Sequence, residues 1–165
     1  MQEDVKLSRL ISRIYDASLD PTLWLDVLEQ AANFVGGPAA SLYSRDATSR
    51  GASAAYQFGL DPRYVRLYLE KYAKLDPTTA GYFFAKIDEP VDVQDVMPYS
   101  EFLESRFYKE WAHPQGWVDS TNVVLDKSPQ RLPCSLSFAI SATVWSIKKR
   151  AAACDSLHRI FAALC

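Results

Sequence analysis

Cysteine, histidine and glycine are scarce in this sequence, and their scarcity excludes several classes of protein. The 165 residues contain three cysteines, two histidines and six glycines. The cysteines are odd in number and lack the spacing of metal ligands, so we expect reduced thiols and no metal site. The sequence also lacks a nucleophile elbow, a phosphate-binding glycine loop with lysine, and a zinc motif of two histidines flanking a glutamate. We therefore predict a protein that is not an enzyme and has no catalytic residues, and the sequence names no cofactor.

The sequence also has no excess of positive charge and no long apolar run. Its formal net charge is −2, whereas free-standing nucleic-acid-binding domains usually carry a positive field. No apolar stretch approaches the roughly 18 to 20 residues that cross a bilayer. The first residues, Met1 to Asp4, are acidic where a signal peptide would be basic. We expect a cytoplasmic protein that binds no membrane and that does not bind DNA directly by this chain alone.

The composition of the sequence is typical of one globular domain followed by a tail of opposite charge. Apolar residues make up 48% of the chain, aromatic residues 13% and charged residues 23%. Residues 139–165 contain four basic residues and one acidic residue, so the remainder of the chain is acidic. We predict a globular domain over residues 1–141 and an atypical, helical tail over residues 142–165.

The spacing of apolar residues predicts the order of helices and strands. The first helix is predicted over Val5 to Leu19. The second begins at Asp20-Pro21 and has an apolar face from Leu23 to Val35. A hairpin of Ala39 to Ser44 with Ala52 to Phe58 follows them. A helix from Asp61-Pro62 to Asp76-Pro77, a helix through Phe102 and Trp111, and a hairpin of Trp117 to Leu125 with Leu132 to Ser141 come next. The last strand alternates apolar and small residues, which is typical of a sheet with one buried face. This order predicts an α+β fold, a PAS-like or GAF-like central antiparallel sheet with flanking helices on one side.

One predicted helix carries a stripe of tyrosines that ends at an aspartate. Tyr64, Tyr68 and Tyr72 recur at helical spacing, and Asp76 follows four residues later. The stripe is either core packing with hydroxyls at the rim, or one wall of a ligand pocket whose carboxylate orients a polar group. Asp76 is likewise either a helix N-cap or a ligand contact. The predicted ligand-binding residues are Tyr64, Tyr68, Tyr72, Asp76 and Trp111.

Two other side chains could carry chemistry, and the sequence favours a structural role for both. His113 precedes Pro114 in a tight turn, which favours a surface or capping role over catalysis or haem ligation. Cys134 lies on the apolar side of a predicted strand, which favours a buried and inert thiol over a reactive one.

Several short motifs are modest one by one and fairly specific in their order and spacing. They are Ile11 to Pro21 with Trp24, Gly36-Gly37, Tyr68 to Tyr72 with Asp76-Pro77, and Phe107 to Trp111 with Pro114-Gln115-Gly116. Over roughly residues 5 to 140 the chain resembles the N-terminal sensory half of LuxR-type helix-turn-helix regulators. The resemblance implies a PAS-like or GAF-like domain that senses a small-molecule signal and forms a homodimer, with promoters bound by a separate C-terminal domain.

A narrower likeness is to the autoinducer-binding domains of quorum-sensing LuxR receptors. Those domains carry aromatic residues ahead of an Asp-Pro pair that holds the acyl-homoserine lactone, and Asp76-Pro77 matches that pair. Their tryptophan and tyrosine are not reproduced at the same spacing. Asp76 is therefore the one contact that this likeness implies.

The tail departs from the LuxR-type pattern beyond about Ile140. Members of the family continue with a segment that leads into the DNA-binding domain, and residues 142–165 do not match it. Read in another frame, the codons permit such a segment; Leu157 to Ile160, for example, permits Ala-Pro-His. We interpret the tail as a frameshifted product of a longer regulator, truncated before its helix-turn-helix, and a genuine short helix is the alternative. The coding DNA distinguishes the two.

Two hypotheses of function follow from the sequence. The first is a signal-sensing and dimerisation domain of a LuxR-family transcriptional regulator, in which a ligand favours one packing of the helices. The second is a stand-alone protein-interaction module with a filled core and no ligand. A recurrent small-molecule adduct on protein purified from its own host supports the first, and an empty dimer supports the second.

Overall fold

The structure is a computed structural model that describes residues 2–45, 52–87, 89–126 and 134–141. Its helices are α1 (Gln2–Leu19), α2 (Trp24–Val35), α3 (Pro62–Glu70), α4 (Thr79–Phe84), α5 (Val93–Val96) and α6 (Tyr99–Glu104). Its strands are β1 (Ala39–Arg45), β2 (Ala52–Phe58), β3 (Pro90–Asp92), β4 (Trp117–Asp126) and β5 (Cys134–Ser141). Short 3-10 turns lie at Pro21–Leu23, Tyr72–Lys74 and His113–Gln115, and a π-helix at Tyr108–Ala112.

The five strands form one antiparallel sheet in the order β2-β1-β5-β4-β3. The two predicted hairpins are β1 with β2 and β4 with β5, and β1 also pairs with β5, which joins the hairpins at the centre of the sheet. Residues Pro90–Asp92 form the edge strand β3, which pairs with β4. The predicted α+β fold with a central antiparallel sheet is therefore confirmed.

Several predicted features lie outside the described residues. They are the tail 142–165 with its helix and its frameshift interpretation, and residues 132 and 133 of the last predicted strand. The side chain of Cys134 also lies outside what is described. Among the described helices, none is long and apolar enough to span a membrane.

Helices α1 and α2 cover one face of the sheet. Their apolar faces pack on alternate strand residues to form the first core cluster, whose buried strand members are Ala40, Leu42, Val123, Leu136 and Phe138. As the sequence predicts, Asp20 opens the second helical segment by accepting a hydrogen bond from the Thr22 N–H at 3.1 Å. Arg13 ties α1 to α2 through a 2.6 Å ion pair with Asp26.

The opposite face of the sheet is also covered, which corrects the prediction of helices on one side and of a single buried face. Ser135 and Ala139 of β5 are buried although they alternate with Leu136 and Phe138. The segment from α3 to the π-helix packs over this second face and forms a second core cluster around Trp111. The small residues Ser135 and Ala139 therefore face a second packed layer and not solvent, because the segment above them excludes water.

The helix predicted to run from Asp61-Pro62 to Asp76-Pro77 is shorter in the structure. It starts as predicted, with Asp61 accepting from the Arg63 N–H at 2.8 Å, and it ends at Glu70. Lys71 leaves the helical region with φ −129° and ψ −54°, and a 3-10 turn follows. The break redirects Tyr72 and Ala73, both of which become buried.

Candidate ligand pocket

A cavity of about 70 Å³ lies between the second face of the sheet and the segment from α3 to the π-helix. Its lining has three parts. The floor consists of the small strand residues Ala39, Ser41, Ser137 and Ala139. The aromatic wall consists of Tyr68, Phe102, Phe107, Trp111 and Trp117. The polar end consists of Tyr43, Asp76, Thr78, Tyr82, Ser120 and Asn122.

The strand register explains why space remains above the floor. Ala39 pairs with Ala139, which pairs with Ser120, so three small residues form one row across the sheet. In the next row, Ser41 pairs with Ser137. Because neither row has a large side chain on its central strand, these rows leave space between the sheet and the segment above it. The free space is several times what one water molecule needs.

Trp111 is the centre of the aromatic wall. Its ring centroid lies 5.0 Å from that of Tyr68, 5.1 Å from that of Phe107 and 5.0 Å from that of Trp117. The indole Nε1–H donates to the backbone carbonyl of Tyr64 at 2.8 Å, which ties the π-helix to α3. Offset and edge-on ring pairs of this kind add to the stability that burial alone supplies.

A π-helix, rather than a continuous α-helix, presents Trp111 to the cavity. The sequence predicts one helix through Phe102 and Trp111, but α6 ends at Glu104 and the π-helix begins at Tyr108. π-Helical turns are rare in proteins, and many of those that are found lie at functional sites. The wider turn changes the direction of Trp111 relative to a regular helix, so periodicity in the sequence did not determine where this side chain points.

Asp76 holds a turn and also lines the cavity. Its Oδ1 accepts from the N–H and the hydroxyl of Thr78, at 3.0 and 2.5 Å. This is the turn that the identical tripeptide Asp20-Pro21-Thr22 makes, with 3.1 and 2.7 Å. Asp20 is exposed, whereas Asp76 is only 8% exposed, lines the cavity, and accepts from the Tyr68 hydroxyl on Oδ2 at 3.2 Å. The carboxylate thus both holds a turn and joins the aromatic wall.

A chain of hydrogen bonds connects the two strands that flank β5 to α4 at the polar end. The Tyr43 hydroxyl donates to Asn122 Oδ1 at 2.8 Å, and Asn122 Nδ2 donates to the Tyr82 hydroxyl at 2.7 Å. Burial, followed by the charge of Asp76, raises the pKa of Tyr82 above its ordinary value of 10. Tyr82 therefore remains a neutral hydroxyl within this chain of hydrogen bonds.

The structure brings together three of the five predicted ligand-binding residues. Tyr68, Asp76 and Trp111 line the cavity. Tyr64 and Tyr72 do not line it: Tyr64 supports Trp111 through its carbonyl, and Tyr72 donates its hydroxyl to Glu110 at 2.9 Å. Both tyrosines pack in the second core cluster, and the broken helix separates Tyr72 from the stripe.

The residues that the sequence analysis missed come from strands and from α4. Tyr43, Tyr82, Ser120 and Asn122 all line the cavity. One signal was present, since Ser120 and Asn122 place polar side chains at alternate positions of a strand that continues into the apolar run Val123 to Leu125. Polar residues at the buried positions of a strand need partners, and here those partners form the polar end of the pocket.

A network of charged groups fastens the π-helix to the end of α3 behind the aromatic wall. Glu110 accepts from Arg106 at 2.8 Å, from Lys71 at 3.0 Å and from the Tyr72 hydroxyl at 2.9 Å. These hydrogen bonds lower the pKa of Glu110 from 4.5 to about 2. The ionised carboxylate therefore helps to hold the segment that carries Trp111.

This network predicts an acid-sensitive contribution to stability. Because the folded pKa of Glu110 is depressed, its contribution is complete above about pH 4.5 and is lost as the pH falls towards 2. We expect Glu110→Gln to lower the unfolding free energy at pH 6 and to reduce its decline between pH 4.5 and 2. Urea titrations across that range measure both effects.

Glu104→Gln is the matched control, because Glu104 has one partner, Lys109. Its removal should change the acid dependence less than removal of Glu110. An unchanged pH profile in Glu110→Gln would show that the network contributes nothing in solution.

The structure places His113 on the surface, as the sequence favours. Its ring centroid is 5.6 Å from that of Tyr108, and it does not line the cavity. Within the described ranges, no group of three or more His, Cys, Asp or Glu residues is arranged to hold a metal ion.

Comparison with solved structures places this arrangement among known folds. The VqsR LBD domain from Pseudomonas aeruginosa matches with a TM-score of 0.73 at 12% identity, over 95% of this chain and 93% of that one. CepR2 from Burkholderia cenocepacia, an N-acylhomoserine lactone dependent LuxR-family transcription factor, matches with a TM-score of 0.68 at 14% identity, over 99% and 95%. The chain has the fold of LuxR-type ligand-binding domains.

A more distant similarity extends to GAF domains. The GAF domain of an Acinetobacter phosphoenolpyruvate-protein phosphotransferase matches with a TM-score of 0.52 at 17% identity, over 98% of this chain and 93% of that one. No protein-family model matches the sequence, and no curated protein matches it. The resemblance to LuxR-type sensory domains implies a PAS-like or GAF-like fold. The similarity to solved structures confirms a GAF-like fold, whereas the comparisons of sequence find no match.

Proposed function

We propose that this chain is the signal-sensing domain of a LuxR-type transcriptional regulator and that the cavity is its ligand site. The observation that carries the proposal is the cavity itself, with Asp76 and an aromatic wall meeting at a gap in the core. Apolar pockets with a few convergent polar groups are the usual form of small-molecule sites. The fold supports the proposal, since it is shared with two ligand-binding domains of such regulators.

In this proposal the ligand acts by shifting the packing of the segment that covers the sheet. The apolar body of the ligand packs on Trp111 and its neighbours, while Asp76 accepts a hydrogen bond from the polar group. Trp111 is bonded to α3 through Tyr64, so a ligand on the wall changes the position of α3 and of the π-helix together. A homodimer whose interface responds to this shift completes the proposed mechanism.

The alternative of an interaction module with a filled core is not favoured, because a cavity of about 70 Å³ remains between the two layers. Well-packed cores contain few voids larger than a water molecule. A protein that only pairs with a partner through its surface does not need a void in its core. It also does not need an aspartate carboxylate and tyrosine hydroxyls to line that void.

Native mass spectrometry of protein purified from its own host tests the proposal. We expect a recurrent small-molecule adduct on the wild-type chain and at least about a tenfold lower occupancy in Asp76→Ala, because the polar contact is removed. Asp20→Ala is the control, since it removes the same turn at an exposed position. An adduct that persists in Asp76→Ala, or empty protein in every preparation, would contradict the proposal.

A further inference from the structure

The helical segment that carries Trp111 changes its hydrogen-bond register along its length. It begins in the α-helical register, where the Lys109 N–H donates to the Ser105 carbonyl, four residues earlier, at 3.1 Å. It ends in the π register, where the His113 N–H donates to the Tyr108 carbonyl, five residues earlier. The register therefore changes by one residue over the turn that holds Trp111. Because π-turns are rare within helices, this change needs a local cause.

Pro114 supplies one cause. A proline inside a helix has no N–H to donate to the carbonyl four residues earlier, and its ring clashes with that carbonyl. For Pro114 this carbonyl belongs to Glu110, so a regular α-helix through both residues is strongly disfavoured. Pro114 is exposed, and it lies instead at the start of the 3-10 turn His113–Gln115, where no N–H is required. A wider turn before it relieves the clash.

The side chain of Gln115 supplies a second cause. Its Nε2 donates to the backbone carbonyl of Trp111, four residues earlier, at 2.9 Å. This carbonyl lies in the last turn of the π-helix, where a continuing helix would otherwise provide the donor. The bond therefore attaches Gln115 to the backbone of Trp111 itself and stabilises the end of the turn.

Neither Pro114 nor Gln115 lines the cavity, although both are described in the structure. They lie between two tryptophans that do line it, Trp111 and Trp117. Gly116, with a left-handed φ of 74°, leads directly into Trp117, whose ring is inclined by 88° to that of Trp111. The short connection thus fixes the angle between two rings of the aromatic wall.

We propose that Pro114 and Gln115 are positioning residues of the candidate pocket. They hold the π-turn, and the π-turn directs the side chain of Trp111 into the cavity. They act through Trp111 and not by contact with a ligand. This inference rests on the proposed function where it concerns retention of a ligand, whereas the direction of Trp111 is measured without one.

The indole N–H of Trp111 reports this direction, because it donates to the Tyr64 carbonyl at 2.8 Å. Nuclear magnetic resonance of the isotope-labelled full chain detects the group, and Trp111→Phe assigns its signal. We expect Pro114→Ala and Gln115→Ala each to shift the signal and to speed exchange of this proton with solvent at least about threefold. The double variant should speed it about tenfold or more, because the turn can then return to the α-helical register.

Pro21→Ala and Gln30→Ala are matched controls in the layer on the other face of the sheet. Pro21 is likewise exposed at the start of a 3-10 turn, and Gln30 Nε2 likewise donates to a residue four positions earlier, Asp26, at 2.8 Å. Neither control should move the indole signal. A loss of stability alone does not shift the signal of the folded protein. A shift confined to the variants of Pro114 and Gln115 therefore distinguishes positioning from structural support.

Retention of a ligand is measured on the same variants by native mass spectrometry after purification from the protein's own host. We expect the occupancy of the adduct to fall at least about threefold in the variants of Pro114 and Gln115 and to stay unchanged in the controls. Circular dichroism verifies folding, and if the double variant does not fold, the single variants decide.

Two outcomes overturn the inference: an indole signal and exchange rate that do not change in the variants, or a shifted signal with unchanged occupancy of the adduct. Wild-type protein without any adduct would count against the proposed function instead. In that case the indole signal still decides whether Pro114 and Gln115 position Trp111.

Discussion

Replacing Trp111 with alanine is expected to lower the unfolding free energy by about 3–5 kcal/mol. The indole is buried at the centre of the second core cluster and contacts the rings of Tyr68, Phe107 and Trp117. Its removal also leaves the carbonyl of Tyr64 without the indole N–H. Urea unfolding followed by circular dichroism measures the loss.

Two further variants sharpen this result. Trp111→Phe keeps most of the packing and loses the N–H, so about 1–2 kcal/mol is expected. Phe84→Ala is the control for removal of a large aromatic residue, because Phe84 is 88% exposed and should change stability by less than about 0.5 kcal/mol. If Trp111→Ala cost no more than Phe84→Ala, the aromatic wall would not be part of the packed core.

Gly59→Ala is expected to destabilise the domain by about 3–4 kcal/mol, far more than the same change at Gly116. Both glycines have a left-handed backbone, with φ of 75° and 74°. A Cβ at Gly59 would lie 2.2 Å from the carbonyl oxygen of Pro38, whereas a Cβ at Gly116 would meet nothing within 4 Å. Both variants lose stability because alanine is unfavourable in a left-handed backbone, and only Gly59→Ala adds a steric clash. The difference between their losses of unfolding free energy therefore measures the clash.

Gly116→Ala should cost only about 1 kcal/mol, the usual penalty for a left-handed residue with a side chain. Parallel urea titrations of the two variants provide the comparison. Equal losses would mean that the chain after β2 does not approach the start of β1 as closely as the structure places it. That approach matters for the pocket, because Ala39 and Leu60, on either side of this contact, both line the cavity.

Local features of the sequence predicted most of the elements. Aspartate followed by proline marks three points where a helical segment or turn begins, and all three aspartates accept from the N–H two residues later. Alternation predicted both hairpins because strand pairing across a short connection depends on nearby residues. Asp76 was predicted as either a cap or a contact, and its local bonds are those of the exposed Asp20.

The errors arose where packing overrides local preference. The spacing predicts Tyr72 on one helix with Tyr64 and Tyr68, but the helix ends at Glu70. It also predicts Trp111 on a regular helix, but Trp111 lies in a π-turn. In both segments the chain departs from α-helical geometry where its aromatic side chains are buried against a second layer, and periodicity carries no information about that layer.

The sequence by itself determined the α+β class, the two N-terminal helices, the two hairpins and the resemblance to LuxR-type sensory domains, because these depend on spacing along the chain. Only the tertiary structure decided that both faces of the sheet are covered and that a cavity lies under one of them. Tyr43 and Asn122 are 79 residues apart in sequence, yet the Tyr43 hydroxyl lies 2.8 Å from Asn122 Oδ1 in the pocket. Contacts of that kind depend on strand register and on the packing of layers, which no local pattern of residues encodes.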